Sequence, residues 1–150
     1  MNVTENPGGI FSATLSEVAL TFTGLNLEKI TPGDSQSFEE YTGLMAMNSK
    51  QGGVLMISMG QASMNRFCSL MLGVVENEVA EADRIDALCE VVNMTAGAAK
   101  ARFAGTDFMF TYSQPFVIKG SEMLVTKHKT RVFTELLTGG GVEIRLMIVY

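Results

Sequence analysis

The chain has 150 residues, of which 47% are hydrophobic and only 18% are charged, and its formal net charge is −5. This length and composition predict one globular domain over residues 1–150 and exclude a disordered chain. The acidic balance, with no clustering of the 11 Lys and Arg residues, argues against RNA or DNA as a partner.

The first part of the chain predicts a helix followed by a short strand. Apolar residues recur at helical spacing over 11–25, and Gly24 is a suitable stop signal. The segment "NLEKITPGD" then predicts a short strand that ends at a Pro32-Gly33 turn.

A hairpin and a second helix follow. Residues 41–60 predict two strands around a turn that is rich in Gly, Asn and Lys. Residues 61–73 have amphipathic helical spacing and end at a glycine. The acidic segment 74–84 is predicted to connect to a third helix, with Asp83 as its N-cap.

The third helix is predicted from about Ile85 to Phe103, and the rest of the chain is predicted to form strands. Predicted strand segments are 107–120, 123–136 and 142–150, with a tight turn at Gly139-Gly140-Gly141. Grouped helices and strands in hairpins favour an α+β fold. We expect a two-layer α/β sandwich with the helices packed on one face of a mainly antiparallel mixed sheet.

Few residues are available for a metal or a cofactor, so we expect the chain to bind neither. Cys68 and Cys89 lack the spacing of a metal site, and His128 is the single histidine. Both cysteines lie among apolar helical residues, which is typical of buried free thiols in a reducing compartment. No signal-peptide pattern or membrane-length apolar run is present, so we expect a cytoplasmic protein that does not enter a membrane.

The third helix is apolar on two sides and carries a narrow polar strip between them. On a helical wheel the predicted core face contains Ile85, Leu88, Cys89, Val92, Ala96, Ala99 and Phe103. The second apolar side contains Ala87, Val91, Met94 and Ala98. The strip contains Asp86, Glu90, Asn93, Gly97, Lys100 and Ala101. Glycine costs about 1 kcal/mol in a helix interior. The strip is therefore either a solvated edge beside tight helix packing or the surface for a partner that approaches closely.

At this helix the sequence resembles a known family. The segment "DALCEVVNMTAGAAK" (86–100) is similar to the active-site helix of the CheC/CheX chemotaxis phosphatases, with its Glu-x-x-Asn signature. The segment "SQPFVIKG" (113–120) is similar to the family's Pro-x-Val-x-x-Gly segment, and 41–60 resembles its central hairpin. The resemblance covers roughly residues 10–150 and implies a CheC-like fold.

The resemblance also implies an activity, which is hydrolysis of the aspartyl phosphate of a CheY-like response regulator. Asn93 would orient the attacking water, and Glu90 would dock by pairing with the regulator's lysine. Gly97 and Ala101 would give the partner clearance, and Asp86 and Lys100 would flank the docking surface. The regulator would supply Mg²⁺. The alternative is a non-catalytic module that binds a response regulator or another signalling partner.

The sequence also departs from the family pattern. CheC-type members carry a second Glu-x-x-Asn on an earlier helix, and the counterpart here is Glu17 with Leu20. Leucine cannot position a water molecule, so one site per chain is expected, as in the CheX type, which forms homodimers. The long strand 142–150 is a candidate for edge-to-edge pairing across such a dimer. Cys89 adds bulk beside Glu90, where the family often has a small residue.

Other catalytic interpretations are weaker. Asp86 and Glu90 lie side by side on one helix, whereas the carboxylates of a glycosidase flank the bond from opposite sides. The three consecutive glycines lie between strands and form a turn, not a phosphate-binding loop. His128 is interpreted as a solvated strand residue. The acidic run before the third helix suits a helix N-terminus or a complementary partner surface.

Overall fold

In a computed structural model, the residues that the structure describes are 6–31, 38–50, 52–121, 123–124, 126, 128 and 130–150. Their helices are α1 (Pro7–Thr23), α2 (Gln61–Leu72) and α3 (Glu81–Phe103). Their strands are β1 (Glu28–Ile30), β2 (Tyr41–Asn48), β3 (Val54–Met59), β4 (Thr111–Tyr112), β5 (Phe116–Lys119), β6 (Val132–Gly139) and β7 (Val142–Val149). A 3₁₀ turn at Glu76–Glu78 precedes α3.

The ends of α1 and α2 follow from local capping. The side chain of Asn6 accepts a hydrogen bond of 3.1 Å from the Gly9 N–H, and Pro7 occupies the first turn. The helix therefore starts before the predicted residue 11. Gly24 and Gly73 have φ angles of +75° and +69°, which glycine adopts at little cost, and they end α1 and α2 as predicted.

The third helix starts one turn earlier than predicted. Its first residue is Glu81, so Asp83 is the third helical residue and not the N-cap. The Asp83 carboxylate accepts a hydrogen bond of 3.0 Å from the backbone N–H of Ala80. Asp83 therefore still caps the helix start, because its carboxylate binds a backbone N–H that has no partner within the helix.

The strands form one seven-stranded sheet in the order β1-β6-β7-β3-β2-β4, with β5 also paired to β2. Every pairing among the described strands is antiparallel. The predicted α+β class is confirmed. The proposed dimer contact through residues 142–150 is wrong, because β7 pairs within the chain with both β3 and β6. The homodimer itself stays a prediction.

Two predicted strands are shorter than expected. Segment 107–120 contains only β4 and β5, separated around Pro115, which has no N–H to donate to a ladder. In segment 123–136 the strand β6 starts at Val132. His128 lies in a bend, so the prediction that His128 lies on a strand was wrong. The polar run before Arg131 has no apolar alternation to bury on a sheet. The Pro32-Gly33 turn lies outside the described residues.

The helices cover one face of the sheet, where the main core lies. Leu15, Phe67 and Leu88 from the three helices pack there with Ile57 and Ile144 from the strands, and all are at most 1% exposed. A smaller cluster around Phe38, Met56 and Met147 lies separately. None of the helices in the described part of the chain is long and apolar enough to cross a membrane.

Direct contact with β2 positions α3. A Cβ atom built on Gly43 would lie 2.7 Å from Val92 Cγ2 and 3.0 Å from Leu88 Cγ, so the helix packs against bare strand backbone. Along another side, α1 and α3 flank a groove that Val18 and Ala98 help to line. Because two elements cover α3, its buried face is broad.

The buried face of α3 is rotated from the predicted one. Val91 and Thr95 are fully buried, whereas Ile85 is 37% exposed and Cys89 is only partly buried. Ile85 and Cys89 were therefore wrongly predicted in the core, and only Cys68 is a fully buried thiol, with its pKa raised to about 11 by burial. The other five residues of the predicted core face are buried, and the buried surface extends towards the second apolar side at Val91 because α1 packs there.

We predict that Gly43→Ala lowers the free energy of unfolding by about 1–3 kcal/mol, because the new methyl group would push α3 from the sheet. Urea denaturation measures this. In a Val92→Ala background the same substitution should cost clearly less, since the nearest opposing atom is gone. An equal cost in both backgrounds, or a gain in stability, would show that this contact does not set the position of α3.

Candidate functional site

The polar strip predicted on α3 is exposed to solvent. Asp86, Glu90, Asn93 and Lys100 are exposed, and Gly97 is partly exposed. Ala101 is exposed as well. Residues three and four positions apart are neighbours on a helix surface, so these positions form one stripe along the outer side of α3. The structure thus places all six predicted site residues on one surface.

The polar residues of α3 divide into two groups. Glu81, Arg84 and Arg102 have charged or polar partners elsewhere in the chain. In contrast, the side chains of Asp86, Glu90 and Asn93 make no hydrogen bond or ion pair with any other described residue. The stripe therefore presents two carboxylates and an amide that the described fold does not use for its own stability.

The first group anchors the start of α3. The Tyr41 hydroxyl donates a hydrogen bond of 2.7 Å to Glu81 Oε2, and Arg84 Nε donates to the same hydroxyl at 3.0 Å. Lys119 Nζ lies 3.1 Å from Glu81 Oε1. Arg84 also donates to the side chain of Asn65 at 2.9 Å. This cluster joins α3 to β2, β5 and α2.

The cluster strongly stabilises the ionised form of Glu81. Hydrogen bonds from Tyr41 first, then from Lys119 and Arg84, lower the pKa of Glu81 from about 4.5 to about 2, against the opposing effect of burial. The hydrogen bond that Lys119 donates to Glu81, followed by its hydrogen bonding with Tyr41, raises the pKa of Lys119. Charge at the start of α3 is therefore fixed across the physiological pH range.

The earlier helix does not offer a second site. The Glu17 carboxylate on α1 is held by Arg102 Nη2 at 2.6 and 2.7 Å, so it is neutralised within the chain. Leu20, one turn further on, is 44% exposed and has no polar group. One site per chain stays a prediction, and the ion pair at Glu17 adds a structural reason for it.

Sequence analysis missed one residue beside the stripe. Tyr112 on β4 is exposed, and its hydroxyl would lie 3.5 Å from a Cβ atom built on Gly97. Lys100 Nζ lies 5.5 Å from the centre of the Tyr112 ring. The register Met47↔Tyr112 between β2 and β4 brings the ring to the helix, and this long-range pairing leaves no signal in the local sequence.

In the described part of the chain, no group of three or more His, Cys, Asp or Glu side chains could hold a metal ion. The side chains of the stripe are on the helix surface, so they are accessible to another molecule. A carboxylate and an amide on one helix can both accept hydrogen bonds, and the amide can also donate them. The arrangement can therefore bind and orient a reactant that another molecule holds.

Comparison with known proteins gives a family match. The model of the family "Chemotaxis phosphatase CheX" matches residues 41–136, which include most of the sheet and all of α3. No curated protein matches the chain.

Solved structures are similar in fold. The CheX of Vibrio vulnificus has 23% identity and a TM-score of 0.83, covering 99% of this chain and 98% of that one. A CheC-like superfamily protein of Shewanella sp. PV-4 has 21% identity and a TM-score of 0.84, with the same coverage of 99% and 98%. A CheX–CheY–BeF3–Mg²⁺ complex from Borrelia burgdorferi matches at 16% identity and a TM-score of 0.79, with 94% of each chain covered.

We predict that Glu81→Gln destabilises the protein at pH 7 and that its deficit shrinks at low pH. Because the folded-state pKa is lowered, the Glu81 contribution is present above about pH 4.5 and is lost as the pH falls towards 2. Urea denaturation of both proteins between pH 7 and pH 3 measures the difference. Glu78→Gln, an exposed change of the same charge, is the control. A deficit that does not change with pH would contradict this assignment.

Proposed function

The chain belongs to the family of the chemotaxis phosphatase CheX, and from that premise we propose that it hydrolyses the aspartyl phosphate of a CheY-like response regulator. One observation carries the proposal. Glu90 and Asn93 project from α3 side by side and have no partner among the described residues. Groups that stabilise nothing within the described fold are available to act on another molecule.

Similar solved structures support a response regulator as the molecule on which Glu90 and Asn93 act. The similar structure from Borrelia burgdorferi is a complex of CheX with CheY, BeF3 and Mg²⁺. We propose that this chain binds a partner of the same class, with α3 entering the regulator's active-site cleft. A helix whose outer stripe is exposed suits this purpose better than a closed pocket would. The proposal places both proteins in the cytoplasm.

The reaction requires a water molecule in line with the phosphorus atom. Phosphoryl transfer depends mainly on positioning and on stabilisation of charge. The Asn93 amide can accept a hydrogen bond from the water and donate one to a phosphoryl oxygen. Water then displaces the aspartyl oxygen, which leaves inorganic phosphate and a free carboxylate on the regulator. Asn93 is therefore the catalytic residue in this proposal.

Glu90 has a different role in the proposal. It lies one turn before Asn93, about 4.5 Å along the helix axis. Its carboxylate would pair with the active-site lysine that a regulator carries beside its phosphorylated aspartate. Mg²⁺ would be bound by the regulator and would neutralise phosphoryl charge there. This chain contributes the water-positioning amide and the docking carboxylate.

Gly97 and Ala101 keep the next two turns of the stripe flat, and Asp86 and Lys100 place opposite charges at its two ends. We propose that the flat turns let the regulator approach the helix backbone and that the charges contribute to docking. The partly exposed Cys89 adjoins Glu90 without closing the stripe.

We predict that Asn93→Ala reduces the acceleration of regulator dephosphorylation about 100-fold or more, with binding retained, because the water loses its orienting group. Glu90→Gln should act mainly on KM. The assay follows the decay of a CheY-like regulator that has been phosphorylated with acetyl phosphate. Asn77→Ala, in the exposed 3₁₀ turn, is the control and should match the wild type.

The outcomes separate the two candidate functions. If no cognate regulator loses phosphate faster with the wild type, or if Asn93→Ala is equally active, the phosphatase proposal is wrong. Binding of a beryllofluoride-activated regulator without any acceleration would instead support the non-catalytic binding module. The binding module predicts that the affinity for the regulator depends on the Glu90 carboxylate and not on the Asn93 amide.

We also predict that Gly97→Ala separates stability from docking. A Cβ atom there would meet only the Tyr112 hydroxyl, at an ordinary 3.5 Å, and alanine is favoured by about 1 kcal/mol in a helix interior. The variant should be at least as stable as the wild type in urea, yet bind the regulator more weakly. Unchanged KM in a fully folded variant would rule out close approach of the partner at Gly97.

A further inference from the structure

The polar stripe on α3 extends beyond the residues proposed for the reaction. Lys100 lies two turns after Asn93, about 10 Å further along the helix axis. It is exposed and has no carboxylate partner among the described residues. The nearby cations differ: Arg102 pairs with Glu17 at 2.6 Å, and Lys50 pairs with Asp107 at 3.4 Å. The positive charge of Lys100 is therefore available to another molecule.

The Tyr112 ring supports Lys100. The ammonium lies 5.5 Å from the ring centre, within the range of a cation–π contact. The ring is attached to β4, and the Met47↔Tyr112 pairing fixes that strand to β2. A lysine side chain on a helix surface normally samples many rotamers, and this contact restricts them. Less entropy is then lost when the ammonium binds an anion.

A groove lies beside this pair. It has a volume of about 400 Å³ and is lined by Asn48, Lys100, Met109, Phe110 and Thr111. Met109 is 58% exposed, so its apolar side chain is open to solvent at this groove. The groove thus combines an apolar wall with a cation at its edge. An acidic side chain, with a short apolar stem and a carboxylate, has matching chemistry.

The charges along the stripe follow an order. Asp86 and Glu90 are acidic, Asn93 is neutral, and Lys100 is basic. Consider a partner with a cation opposite Glu90 and an anion opposite Lys100. Its charges complement those of α3 in only one of the two directions in which the helix can lie across it. The reversed orientation would place like charges together at both ends, which is unfavourable.

Building on the proposed function, we propose that Lys100 and Tyr112 form a second docking point, which binds an Asp or Glu side chain on the regulator's surface about 10 Å from its aspartyl phosphate. This contact fixes the direction in which α3 lies across the regulator. It acts on binding and orientation and takes no part in the displacement at phosphorus. Tyr112 positions Lys100 through the cation–π contact.

Steady-state dephosphorylation of a CheY-like regulator, phosphorylated with acetyl phosphate, tests this proposal. Lys100→Glu should raise KM about tenfold or more and change kcat less than twofold, because only docking is affected. Lys100→Arg should remain close to the wild type. Tyr112→Phe retains the ring and should also be close to the wild type, whereas Tyr112→Ala should raise KM. Far-UV circular dichroism checks that each variant is folded.

Arg131→Glu is the matched control, because it makes the same charge change at an exposed position before β6, far along the sheet order from β4. Equal KM values for Lys100→Glu, Arg131→Glu and the wild type would overturn the second docking point. A lower kcat at unchanged KM would also overturn it. If the wild type still depends on Asn93 in that case, the proposed function stands. A wild type that neither binds nor dephosphorylates any regulator overturns both.

Discussion

The packing of α3 against two other elements is the constraint on which the rest of the structure depends. Gly43 lets Val92 and Leu88 approach the backbone of β2, and α1 covers the neighbouring side of the helix. The cluster of Tyr41, Glu81 and Arg84 anchors its start. With burial and anchoring assigned to these residues, the remaining side of the helix is left to polar groups that the described fold does not require.

This division explains why a weak sequence motif can carry function. A carboxylate and an amide three residues apart are common on helices, and alone they indicate a solvated edge. Here Glu81, Arg84 and Arg102 on the same helix have internal partners. The side chains of Glu90 and Asn93 have none among the described residues. Removal of an unused polar residue costs little stability. Substitutions on the stripe should therefore affect activity and leave folding intact.

The sequence predicted the helices well because their signals are local: Gly24 and Gly73 end α1 and α2 by adopting positive φ angles. Long-range pairing was beyond its reach. It did not indicate that β7 is an interior strand or that β4 brings Tyr112 to Gly97. Five of the seven residues predicted on the core face of α3 are buried, whereas Ile85 is exposed and Cys89 is only partly buried. The buried face is shifted towards Val91 because α1 covers the second apolar side. The stripe was found because it occupies the side that neither neighbour covers.

A structure of this chain bound to a regulator activated with beryllofluoride and Mg²⁺ tests the central claim most directly. The account predicts that α3 lies in the regulator's active-site cleft. The Asn93 amide should lie within hydrogen-bonding distance of the beryllofluoride or of a water in line with it, and Glu90 should contact the partner's lysine. Docking through α1 or through the face of the sheet without helices, with Asn93 left in solvent, would contradict the account.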